Sequence, residues 1–345
     1  MKKNLRFVIG AGVIATVALI YSFSDGIAEP QGRPSAVGKP RVAASHADSK
    51  VRQGHDARDR EFHRISVKKF PAADIAALLN GSENTPRHYI AAFLMTGSLE
   101  FLERAAAQFP SSPDIFYTMA VKASDPQKRI QHLEKALALD PNNSYLQLLL
   151  AGGLVISGER GAATGLIKKA FESKAFDTFT DPIKTATREL ALKAGASAED
   201  AVIISLRGES GVGPLELLSP LTKLYDSKEF KEAAGDDAES LAVSIALKLQ
   251  PLSKTNAIVA LFAHRTELKA LQSLPGDAPY GSEGMTVAMR MAEIENEPQR
   301  FAKTVGTVSL IPELSDNEWR IYLDKWSRQG QVEALAWVAE SRPKE

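Results

Sequence analysis

From Phe70 onward, apolar and polar residues alternate with a helical period along most of the chain. In "SDPQKRIQHLEKALALDP", Ile130, Leu133 and Leu137 recur at i, i+3 and i+7, while Lys128, Arg129, Gln131, Glu134 and Lys135 take the other face. Asp125 suits an N-cap and Pro126 the first helical position, and Pro141 stops the helix from running far past Leu139. The next helix is expected from Asn143 or Ser144 to a turn at Gly158, and another from about Ala162 to Ser173. An earlier pair is expected from "RHYIAAFLMTG", Arg87 to Gly97, followed by "FLERAAAQFPSSP".

Helical signals continue to the C-terminus. "TDPIKTATRELALKAG" offers Asp181 as cap, Pro182 as first residue and Gly195 as stop, and Ser197 with Asp200 opens "SAEDAVIISLRG". Further helices are expected at Leu215–Tyr225, Ala238–Leu249 and Ala257–Leu274, with "LPGDAPYGSEG" as a longer loop. A capping box, Ser315-x-x-Glu318, begins the final pair. Its apolar face is Trp319, Tyr322, Leu323 and Trp326; it turns at Gly330 and returns through Ala334, Leu335, Trp337 and Val338. The tryptophans at this spacing are expected in the core. No stretch of the body reads as a strand.

The N-terminus obeys a different pattern. Phe7 to Phe23 is apolar on every side, preceded by Lys2, Lys3 and Arg6 and followed by Asp25 and Glu29. "GAGVIA" within it fits the glycine turn of a dinucleotide site, but no second strand follows and the helix lacks a polar face, so that reading fails. The basic flank and the 17-residue run predict a membrane-directing segment at residues 1–28, with the body sent across the inner membrane. The length of the run favours a retained anchor, with the body on the periplasmic side. Cleavage after Ala28 would leave it periplasmic or secreted. Residues 29–69 are rich in Pro, Gly and Ser, with ten Lys/Arg against four Asp/Glu from Pro30 to Lys69, and predict a disordered basic linker with a reach of roughly 35 Å. His46, His55 and His63 in it lack metal-ligand spacing and are expected to be solvated.

One family accounts for the centre of the chain. Ala136-Leu137 and Asp140-Pro141, then Leu150, Ala151, Leu154, Gly158, Ala163, Ile167 and Ala170, resemble the tetratricopeptide repeat, a 34-residue helix–turn–helix with small residues at the helix crossing. Leu102, Ala105 and Pro110 mirror Leu133, Ala136 and Pro141 at a spacing of 31, three short of the repeat. The likeness spans residues 85–175, and generic helical hairpins are the alternative. The expected architecture is therefore an all-α, TPR-like α-solenoid of antiparallel helix pairs behind a membrane helix and a disordered linker. Repeats are expected at 70–176 and degenerate hairpins at 177–345. The resemblance implies protein–protein interaction, and places Tyr145, Leu148 and Gly152 on the first helix of a pair, lining a partner groove.

Charge and chemistry narrow the classes further. The body from Phe70 holds 29 basic and 36 acidic residues, which gives no footprint for nucleic acid. With no cysteine, disulfides, thiolate metal sites and a thiol nucleophile are excluded. No metalloprotease, P-loop or nucleophile-elbow motif is present, and "RGESGVGP", Arg207 to Pro214, reads as an interhelix loop. His88, His132 and His264 lie on separate helices and are expected at the surface. Asp236-Asp237 and Glu293, Glu295 and Glu297 are expected at helix ends. No catalytic, cofactor-binding or metal-binding residues are nominated. The expectation is a non-enzymatic binding module for an unidentified protein or peptide. The alternatives are an exported enzyme with a pocket in the C-terminal half, or a structural envelope component.

Overall fold

The computed structural model describes Ile65, residues 69–80, 84–206, 216–218, 220–224, 227–235, 264, 267–272, 274–280, 284–306 and 314–341, with a few positions between 241 and 248. The expected membrane segment, nearly all of the expected linker, and most of the helices expected at 238–249 and 257–274 lie outside these residues. Among the described residues no helix is long and apolar enough to cross a membrane.

The described residues are helical and carry no named strand; isolated bridges join Asn143 to Ala175 and Pro279 to Thr286. The helices are α1 (Ala72–Leu78), α2 (Pro86–Thr96), α3 (Glu100–Gln108), α4 (Pro113–Lys122), α5 (Pro126–Leu139), α6 (Ser144–Ile156) and α7 (Arg160–Glu172). They continue with α8 (Thr180–Lys193), α9 (Ala198–Ser205), α10 (Leu221–Leu224), α11 (Lys228–Ala234), α12 (Val287–Gly306), α13 (Asp316–Gln329) and α14 (Gln331–Ser341). Neighbours in sequence pack as hairpins: α2 with α3, α4 with α5, α6 with α7, α8 with α9, and α13 with α14.

Local chemistry sets most of the ends. The Asp125 carboxylate accepts from the Gln127 and Lys128 amides, Ser197 from the Asp200 amide, and Ser315 with Glu318 closes the expected capping box. Two expectations need correction. Thr180 already belongs to α8, so Asp181 is a first-turn residue, bonded to Lys184 at 3.3 Å, and not the cap. The cap position is Phe179, at φ 58°, the left-handed region that a bulky side chain rarely enters. The Asp177 carboxylate, which accepts from the Phe179 amide at 2.7 Å, holds it there. Glu293 and Glu295 are not at a helix end either but inside the 20-residue α12. Pro298 within that helix hides it from a sequence reading, because proline ordinarily ends a helix.

α6 is the centre of the fold. Every residue from Ser144 to Leu154 is buried, as so apolar a helix requires, and the Gln147 amide among them donates to the Pro141 carbonyl. α5, α7 and α10 pack on it, and Leu217 covers Gly152 and Gly153. α2 is enclosed in the same way by α1, α3, α4 and α8. The core reaches back to Ile65, which is helical and buried within the stretch expected to be linker.

The hairpins do not simply follow one another along a line. After α7 the chain doubles back, and α8 packs on α2, three hairpins upstream. α10 and α11 then pack on α6 and α7, so the stack resumes behind the α8–α9 hairpin. The turning point is a polar clamp. Asn143, fully buried, accepts the Tyr145 and Asp177 amides at 3.1 and 3.2 Å and donates to the Asp177 carbonyl and the Asp140 carboxylate, both at 3.0 Å. Ser144 donates its amide (3.0 Å) and hydroxyl (2.6 Å) to the Ala175 carbonyl, and the Ser173 hydroxyl donates to the Asn142 carbonyl.

Replacing Asn143 strands buried backbone groups on both segments at once. Asn143→Ala is expected to lower unfolding free energy by about 2–3 kcal/mol in urea titration. Asn143→Asp keeps the acceptor but loses the donors and sets a charge beside Asp140, so it should rescue little. A loss below about 0.5 kcal/mol in Asn143→Ala would show that the clamp does not hold the turn.

Candidate functional site

The face that the repeat pattern nominates for a partner is occupied by the chain's own residues. Tyr145 is 3% exposed, beneath Phe176 at a ring separation of 5.5 Å and beside Tyr117 at 5.9 Å. Leu148 is fully buried. Gly152 lies so close to the Leu217 carbonyl oxygen that a Cβ there would overlap it. As the chain is folded here, none of the three faces solvent.

The clamp produces this cover. It delivers the strap from Ser173 to Phe179 across the N-terminal ends of α6 and α4: Phe176 lands on Tyr145, and Phe179 on Tyr117 at 5.3 Å. α8 then continues along α2. The Tyr117 and Tyr145 hydroxyls face each other at 3.4 Å. Burial pushes the Tyr117 phenol up to about 12 and lifts Tyr145 well above its ordinary range, so both stay neutral. The segment carrying Leu217 is held by Glu216, which pairs with Arg129 at 3.0 Å, while the same guanidinium donates to the Ala123 carbonyl.

Asp114, Lys184 and Glu267 are buried polar groups that tie elements together. Asp114, buried at the start of α4, accepts from Arg87 of α2 at 3.2 Å and from the Ser112 hydroxyl. Lys184 of α8 reaches the Ser327 carbonyl at 3.2 Å, at the C-terminal end of α13 where a cation opposes the helix dipole. Glu267, 1% exposed, accepts from the Tyr280 hydroxyl (2.6 Å) and from Nε (2.6 Å) and Nη2 (2.9 Å) of Arg290. Burial, then Glu267, raises the Tyr280 phenol far above its ordinary range; the Glu267 bond raises Arg290. This trio fastens α12 to the preceding helical segment around a second small core of Leu271, Tyr280, Val287 and Ile294.

The histidines expected at the surface are only partly there. His88 is half-buried: Nδ1 accepts from the Thr85 amide at 3.1 Å and completes the α2 cap, and Nε2 stands 3.5 Å from Glu189 of α8. His132 is half-buried with Nδ1 enclosed and unbonded. Burial, then Lys135 and Lys128, holds its imidazole below the ordinary range. Trp319, Trp326 and Trp337 pack against the main core, with Tyr322 between Trp319 (5.6 Å) and Trp326 (5.7 Å). Among the described residues no group of three His, Asp or Glu side chains is arranged to hold a metal ion. In the C-terminal half, a depression of about 420 Å³ runs along the outer face of α13, with Arg320, Asp324, Lys325 and Arg328 among its lining.

Sequence reasoning missed Phe176, Phe179 and Leu217, the residues that cover the nominated face. One signal was present: "FESKAFDTFTDP" places two aromatics three apart in an interhelix segment, where solvent-facing loops carry polar residues. Together these contacts define, among the described residues, a class of fold: an all-α stack of helical hairpins in which α8 folds back on α2. No known family model matches the chain, and no curated protein matches it in sequence.

Gly152→Ala is expected to lower stability by about 1–3 kcal/mol through overpacking. Gly165→Ala, on α7 where a Cβ meets open space, is expected to raise it by about 0.5–1 kcal/mol, and paired thermal melts compare the two. His132 gives a pH signature. Its folded-state pKa is lowered, so the unfolded chain binds the proton first. Stability is then full above about 6.5 and falls as pH drops below it. His132→Gln should remove that part of the decline in urea titrations between pH 7.5 and 5; an unchanged slope would exclude the linkage.

Proposed function

We propose that this chain is a non-enzymatic protein-binding or scaffold module, built as a TPR-like array and tethered on the outer side of the cytoplasmic membrane by its N-terminal apolar segment. The observation that carries the reading is the stacking of α2–α3, α4–α5 and α6–α7 as consecutive hairpins, the arrangement by which repeat proteins build extended surfaces. The sequence likeness at residues 85–175 falls on these same hairpins. Fold likeness alone is a weak warrant for function, so the warrant for a particular surface comes from exposure. The inner face is filled by Phe176, Phe179 and α8, which moves the proposed contact from Tyr145, Leu148 and Gly152 to the outward faces of the second helices and the terminal hairpin. The partner is a protein or peptide; the mild acidity of the body argues against nucleic acid. The basic flank of the apolar segment supports the tether.

Photoreactive side chains placed singly at Lys128, Lys169 and Arg320, all outside the core, test the reading in intact cells, with Leu148 as the buried control. The expected result is a discrete protein adduct from at least one outward position and none from Leu148. Adducts from Leu148 alone would return the contact to the inner face, and no adduct from any position would sink the binding reading. Fractionation tests the tether separately. A full-length 37.3 kDa band in the membrane fraction supports a retained anchor, and a shorter extracytoplasmic band supports cleavage. A full-length band in the cytosol would overturn export.

A further inference from the structure

We draw no further inference here: the strongest candidate, the depression of about 420 Å³ along the outer face of α13 where Arg320, Lys325 and the Asp324–Arg328 pair flank the exposed Ile321, is an unpartnered helix face, and nothing in the structure shows what covers it.

Discussion

The fold turns on one buried amide. Asn143 sits where α5 hands over to α6, and its side chain has donors and acceptors for both its own turn and a segment 34 residues away. A carboxylate could cap α6 but could not donate to the Asp177 carbonyl. A hydroxyl could cap it but, with one proton, could not donate to both the Asp177 carbonyl and the Asp140 carboxylate. The amide does both, so the chain leaving α7 is stitched to the start of α6. A regular array would send the chain on to another stacked hairpin. Here the stitch turns it across the stack, and the aromatic strap and α8 follow from that turn.

Closing the array changes how stability is distributed. In an open repeat each hairpin answers only to its neighbours, and stability approximates a sum of local terms. Here α8 rests on α2, so the first hairpin depends on a helix from behind the third. Ala91 and Ala92 on α2 and Ala186 and Ala191 on α8 are all buried, and their small side chains permit close packing. Arg87 on that first hairpin pairs with Asp114 and binds it to α4. Loosening the strap therefore exposes apolar surface on α2, α4 and α6 together. The left-handed backbone at Phe179 is one cost of this arrangement, offset by the ring contact with Tyr117 and the Asp177 bond.

What the sequence made legible divides along range of interaction. Caps act within four residues, so Asp125, Ser197 and Ser315 could be read directly, and Asn143 could be read as a cap. Its second partnership could not, because nothing in "DPNNSY" specifies Asp177. The unbroken apolar run of α6 announces a buried helix, but not that Leu217 is what buries Gly152. The apolar face of α8 does not name the helix it covers; in the fold it packs on α2, after the clamp has turned the chain. α12 escaped notice because a single proline outweighs a helical period in a local reading, whereas in the fold Tyr280, Arg290 and Glu267 hold its first turns in place. The nominated face failed to be a surface for the same reason: exposure is a property of the whole chain, and periodicity reports only which residues avoid water.

That distinction bears on how a repeat likeness transfers. The pattern of small residues and prolines favours close packing of two helices, and it falls here on helices that pack as hairpins. Whether one side of the hairpins is open is encoded elsewhere, in the segment that follows the α6–α7 hairpin. In this chain that segment is aromatic, anchored at its start and continued by a helix with apolar residues at Ile183, Ala186, Leu190 and Ala191. Those residues join the core that the hairpins already form, so the strap and α8 cover that side from within the chain. A binding role for this protein thus rests on the faces that the strap leaves outside.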